Sequence, residues 1–388
     1  MLAASNAIAV TLRLGIQETV LFDNNVFRLP SGTEATLGQH HGRSDLTSRT
    51  NVIVNLDQDI SLQRFQLNAS ISRTEYLKFS EISYTGVNAD AKWSWDLGSR
   101  LSGDAGAHIQ RQLSSFADFR AFERNVATQW QPYFDIRYMT GARVFVYGSY
   151  KRVNTSNSSD VLLVNDYVSD VGSVGLGYSF YNEGEVAVGA KRTATNFDST
   201  QLIILDGVSS ALHNDYRQNE LEAKLIWPIG FRGKFNGRIA YTQRRNREVR
   251  NRDFGGFTGS ASLNYDITYL VNLSVSGRRE LAGTDDILAY FATTNGAHIR
   301  FEYKPRDFAK FDIDGDYARR NYRGFDVFLP IVGTGRRDTN WSASAKLRYE
   351  WPLGSWIEVA YRHERRISNV PVLDFSDDSV SLSALYQF

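Results

Sequence analysis

Histidines, carboxylates and serines are the residue types from which a nucleophilic or metal-assisted site is assembled, and this chain supplies them in no useful pattern. Its 388 residues include 6 His and no Cys. The lack of thiols removes cysteine nucleophiles, thiolate zinc and iron–sulfur sites together. His40 and His41 are adjacent, but no matched carboxylate spacing accompanies them. His213 lies in a polar stretch, and His108, His298 and His363 lie at polar positions of alternating segments. None combines with a Ser or a carboxylate into a recognisable hydrolytic set. Gly255-Gly256 and Gly333-Thr334-Gly335 lack the strand-to-helix setting of a phosphate loop. The expectation is therefore no catalytic residue, no metal and no cofactor: a protein that is not an enzyme.

The charged residues that do recur are suited to recognition rather than catalysis. Arg238, Arg244, Arg278, Arg300, Arg319 and Arg348 take polar positions or sit near segment ends, as do Asp312, Asp314 and Glu358. Such groups pair with each other across strands, or they line a wet conduit and contact carboxylates and hydroxyls of a passing sugar polymer. In the adjacent pairs Arg244-Arg245, Arg278-Arg279 and Arg319-Arg320 only one member can face a given side of a regular strand. Phe145 and Tyr147, with Tyr133, fall on the polar side too. Their rings can stack on a sugar or simply fill space.

Alternation of period two must position these residues. Trp341, Ala343, Ala345, Leu347, Tyr349 and Trp351 oppose Ser342, Ser344, Lys346, Arg348 and Glu350. The same code runs from Ile8 to Phe388 and marks strands with one apolar face. Short turns are expected around 57–59, 97–99, 140–142, 181–184, 228–233, 268–270, 305–308 and 352–355. Longer polar loops alternate with them, near 23–44, 74–82, 113–119, 153–168, 197–215, 245–255, 280–290, 320–338 and 366–377. That makes about 18 strands, an even count with short turns at one end and long loops at the other, which is the pattern of a transmembrane β-barrel. Pro132 lacks a ladder donor and predicts a bulge or strand end. Trp93, Trp95, Trp227, Trp351 and Trp356 cluster beside the short turns like an interfacial aromatic belt.

Composition agrees. With 42% hydrophobic and 13% aromatic residues the chain is not disordered, and a net charge of +1 argues against a nucleic-acid partner. No run approaches the roughly 18 apolar residues of a membrane helix. After Met1 the chain enters Leu-Ala-Ala-Ser-Asn directly, which reads as an initiator added to a processed chain, its signal peptide gone. The expected architecture is all-β: one transmembrane antiparallel β-barrel domain over 1–388, with short periplasmic turns, long extracellular loops and no separate periplasmic domain. Its expected location is the bacterial outer membrane, with outer-membrane lipid around it. Asp23, Asn24, Phe27 and Arg28, in the first long loop, either anchor that loop or form a constriction.

The final strand, alternating through Tyr386 to a terminal Phe388, resembles the assembly signal that the barrel assembly machinery reads in outer-membrane barrels. A further resemblance rests on a succession of segments. These are Leu12–Pro30 with its Asp23-Asn24-Asn25-Val26-Phe27-Arg28-Leu29-Pro30, then Ser61–Leu67, Arg100–Gly103, Ser115–Arg120 and Arg252–Gly255. In order and content they resemble the EpsL-type outer-membrane proteins associated with exosortase-linked exopolysaccharide biosynthesis. The resemblance implies a conduit that exports an exopolysaccharide, working with a periplasmic or lipoprotein polysaccharide-export protein and a copolymerase. It transfers no binding residues. A general or sugar-selective uptake porin fits composition and strand count equally well.

Overall fold

The computed structural model describes residues 10–118, 122–205, 208–248, 252–283, 291–323 and 335–388. Eighteen antiparallel strands form one closed sheet. In chain order they are β1 (Val10–Asp23), β2 (Asp45–Ile60), β3 (Gln63–Tyr76), β4 (Tyr84–Leu97), β5 (Leu101–Leu113) and β6 (Val126–Met139). Then come β7 (Val144–Ser156), β8 (Tyr167–Ser179), β9 (Glu185–Phe197), β10 (Tyr216–Ile229), β11 (Gly233–Asn246) and β12 (Phe254–Thr268). The ring finishes with β13 (Val271–Gly283), β14 (Phe291–Arg306), β15 (Ala309–Arg323), β16 (Arg337–Glu350), β17 (Trp356–Ser368) and β18 (Phe375–Gln387).

Each strand pairs with its sequence neighbours, and β1 closes the ring by pairing with both β2 and β18. Closure gives every strand a partner on both edges, which hydrocarbon demands because it offers no hydrogen bonds to a free backbone group. Hairpins over Ala35–Leu37 with His40–Gly42 and Gln201–Leu205 with Val208–Leu212 decorate two long loops. No helix among the described residues is long and apolar enough to cross a membrane.

The faces are clean. Leu12, Ile16 and Val20 of β1, Leu347 of β16 and Val359 of β17 are exposed large apolar residues on the outer face, where lipid replaces water. Their neighbours Arg13, Gln17, Arg348 and Glu358 face inward. The inner wall holds interlocked charges instead of an apolar core. The main described apolar cluster lies at the long-loop end and joins Val26, Phe27, Leu29, Ala35, Phe79, Ile82, Phe116 and Leu162. It draws on four successive long loops.

Three expectations are corrected. β6 runs through Pro132 without a bulge: its register on β7 is the same at Trp130↔Asn154 and Tyr133↔Lys151, and only the pairs between them are missing. One lost donor therefore thins the ladder locally and does not shift it. The first short turn falls at Ser61 and Leu62 rather than 57–59, with Ser61 at φ 57°. Asp57 remains inside β2, held by Arg64 across the hairpin at 2.6 Å. Trp356 leaves the aromatic belt: it pairs with Leu385 on the inner side, and the Arg348 guanidinium lies 4.1 Å over its ring. Ile8 and the pair Gly333-Thr334 lie outside the described residues.

Candidate functional site: a clamped loop over a charged lumen

The inner wall is built by period two. Glu220 and Glu222 of β10 face inward because Leu221 and Ala223 face lipid, and Arg238 of β11 stands opposite them. Arg238 bonds Glu222 at 2.7 Å and also pairs with Glu220, which Lys191 reaches from β9 at 3.2 Å. A second network crosses β14 to β16. Arg300 bonds Asp312 at 3.0 Å, Lys310 bonds Glu302 at 2.6 Å, and Lys346 lies 3.4 Å from Asp314. Arg348 joins β16 to β17 through Glu358 at 2.7 Å. Such cross-strand pairs contribute roughly 0.2–1 kcal/mol each. They also give a solute alternating positive and negative handholds.

Arg244 and Arg278 stand on the same inner face. Arg244 stacks 4.0 Å over Tyr216, and Arg278 lies 3.0 Å from Glu280. Arg319 does not join them. It pairs with Thr339 on the odd-numbered outer face with Ile313 and Tyr317, and its neighbour Arg320 is the inward member. Parity carries through to the strand end without slipping, so the adjacent arginines split between lipid side and lumen.

Phe145 and Tyr147 face inward but are pressed against the wall. Their rings lie against Gly177 and Gly175 of β8; a Cβ at Gly177 would collide with the Phe145 ring, and one at Gly175 would come within 2.5 Å of Tyr147. Arg137 covers Phe145 at 3.6 Å, and Lys224 lies 5.1 Å from the Tyr147 centroid. Tyr133 fits against Gly106 in the same way. Both faces of Phe145 are thus occupied. The glycines are what let large rings lie flat on a barrel wall.

The mouth is narrowed by a loop that sequence reasoning did not single out for this role. The β5–β6 loop reaches across the ring, and Asp118 meets Arg366 of β17 at 2.9 Å and Arg320 of β15 at 3.2 Å. β15 stands about half-way round the ring from the β5–β6 hairpin. Arg366 also donates to the Ala117 carbonyl, and its guanidinium lies 3.7 Å from Asp338, which in turn holds the fully buried Arg336 at 2.6 Å. Burial pushes the Asp118 carboxyl up, but the Arg320 and Arg366 guanidiniums outweigh it and hold the carboxyl below its usual range. The latch stays charged at neutral pH. One signal for it existed: Asp118 lies between Phe116 and Phe119 in a loop that also carries Phe122. Phe119 and Arg120 lie outside the described residues.

The first long loop is tied down beside it. Phe27 is almost wholly buried and meets Phe79, Phe116 and Phe122 edge-on at 4.8 to 5.5 Å. Arg28, at φ 55°, reaches Asp23 at 2.9 Å and Asp377 at 3.2 Å. Asn24 donates its side-chain amide to Asp378 and accepts the Asp378 amide at 2.9 Å. Asp23, Asn24, Phe27 and Arg28 therefore fasten this loop to β18 and to its neighbours, while the segment that crosses the lumen is the β5–β6 loop. Among the described residues no group of three or more metal-ligating side chains converges. His298 pairs with Asp316 at 3.0 Å on the inner face, and His363 turns outward to Asp378 at 2.8 Å, opposite to its expected side.

A closed 18-stranded ring, apolar outside and charged within, with a loop drawn across its mouth, defines a porin-like β-barrel. Residues 229–388 match the family model described as "Putative beta-barrel porin 2". No curated protein matches the sequence. Among solved structures, the chain resembles OccK2 (OpdF) of Pseudomonas aeruginosa, with a TM-score of 0.52 and 11% identity over 98% of this chain and 97% of that one. OccK2 in complex with glucuronate gives a TM-score of 0.51 and 12% identity over 98% of each chain. OpdK of the same organism, with vanillate, gives 0.50 and 10% over 97% and 99%. The likeness is one of fold, a closed antiparallel β-barrel.

Proposed function

We propose that this barrel is an outer-membrane channel for the uptake of small, charged, water-soluble molecules. The observation that carries the reading is the loop clamped across the mouth by Asp118, Arg320 and Arg366 over a wall of interleaved carboxylates and cations. A fixed constriction over a polar lumen sorts small solutes by size and charge, whereas a polymer strand would have to break the buried latch to pass. That barrels of the same build hold glucuronate and vanillate supports small carboxylates as candidate solutes. The purified barrel in a planar bilayer should conduct ions without any partner, and millimolar uronic acids should block the current. A sealed barrel that conducts nothing alone would sink the proposal.

The succession of segments from Leu12–Pro30 to Arg252–Gly255 favours a second reading, export of an exopolysaccharide alongside a periplasmic export protein and a copolymerase. Here the clamped loop is a plug that the partner releases. Deleting the gene in its host separates the two: export requires polymer to vanish from the medium, and uptake requires growth on a small acidic solute to slow.

A further inference from the structure

We propose that the outer rim of the lipid-facing surface binds the phosphate groups of a phosphorylated glycolipid in the surrounding leaflet, at a site centred on Arg73, Arg111 and Arg124. This goes beyond the transport reading, because the residues face away from the lumen. It depends only on the barrel standing in its membrane with the long loops outward.

The first observation is an asymmetry of charge on the outer face. In the half of each strand nearest the short turns, the outward positions are apolar, aromatic or uncharged, apart from Arg306 at a turn. In the half nearest the long loops, outward arginines recur: Arg73 and Arg111, then Arg192, Arg217, Arg319 and Arg365, all exposed. Strands of about 14 residues, at roughly 3.3 Å rise and 35–45° tilt, stand about 35 Å tall. That exceeds the roughly 25 Å apolar band, so these guanidiniums emerge at headgroup level on one side only. A cation facing hydrocarbon is costly, and a cation facing an anionic headgroup is not.

The second observation is a recess. Arg73, Arg111, Arg124, Tyr84, Thr85 and Val126 line a hollow of about 250 Å3 at this rim, with Ser158 at its edge. Arg73 and Arg111 point the same way from β3 and β5, with Thr85 of β4 paired to Arg73 between them. Arg124 enters from the β5–β6 loop, its guanidinium 3.4 Å from the Ser83 carbonyl. Among the described residues Glu75 pairs with Arg73 at 3.3 Å, and Glu123, next to Arg124, turns to the Ser159 hydroxyl. Three guanidiniums against these two carboxylates leave a net positive hollow. Planar guanidiniums match phosphate oxygens two at a time, and the hydroxyl of Thr85 can complete the shell.

The test uses the full-length barrel in a neutral detergent, titrated with lipid A, a bisphosphorylated acyl-diglucosamine, and with its dephosphorylated form, read by native mass spectrometry. Wild type should hold the bisphosphorylated lipid at least tenfold more tightly than the dephosphorylated one. The triple variant Arg73→Gln, Arg111→Gln, Arg124→Gln should lose at least tenfold, and the triple Lys variant should keep most of the binding. Heat-modifiable gel migration reports that each variant is folded. Equal binding of the two lipids by wild type overturns the proposal without any variant. Equal binding by the folded Gln variant overturns it, and so does displacement of the lipid by equimolar inorganic phosphate, which would make this a site for free anions.

Discussion

Asp118 shows how one side chain governs the mouth. Its partner Arg366 is almost wholly buried, so removing the carboxylate leaves a guanidinium short of charge compensation. Asp118→Asn should free the β5–β6 loop, raising single-channel conductance and opening residues 114–125 to protease, while the ring keeps its heat-modifiable migration. An unchanged conductance would mean the loop does not limit flow. The pH dependence has a definite sign. A carboxyl held below its usual range in the folded state stabilises the latch above the unfolded pKa of about 4, and that stabilisation is lost as pH falls through the lowered value. Conductance should stay flat from pH 8 to about 4 and rise below it. The glycines under the aromatic rings make a second residue-scale prediction. Gly177→Val drives a methyl group into Phe145 and should cost about 1–3 kcal/mol, measured by urea unfolding in detergent micelles. Adding Phe145→Ala should recover part of that loss.

Strands and loops were legible to different degrees. Period two identified the strands and seven of the eight short turns, the first lying at Ser61 and Leu62 and not at 57–59, because lipid outside and water inside impose opposite chemistry on alternate residues. It failed where that contrast fades. Arg319 lies near the outer end of β15, where both sides of the wall are polar, and only the pairing shows that Arg320 is the inward member. Trp356 carries the belt composition but sits at an inward position under Arg348. The loops have no period, so nothing in the sequence told which of them packs with which. Phe27 and Phe116 were visible as residues, yet their contact across the mouth depends on the ring being closed. On the strands the prediction is direct: Leu347→Arg places a cation on the lipid face and should cost about 2–4 kcal/mol near mid-bilayer. On the loops, Phe27→Ala should cost about 3–5 kcal/mol of local stability. Proteolysis of the long loops around an intact ring would report it.

At the scale of the whole molecule, the inner wall nearly balances its charges, and ion selectivity is set by which pairs are complete. Arg300 stands among Asp312, Asp314 and Glu302. Arg300→Gln removes one cation from that group and should move the reversal potential in a salt gradient toward cations, with little change in folding. No movement would mean that the permeation path runs along another part of the wall.

The seam between Val10–Asp23 and Phe375–Gln387 ties the first-made strand to the last-made one. A polypeptide stopped short of its final thirteen-residue strand keeps two raw borders, each a template for stray pairing. A finished cylinder nicked once at a surface loop keeps every border sewn. Quality control therefore has a simple criterion to act on, since in this design there is no serviceable half-built vessel.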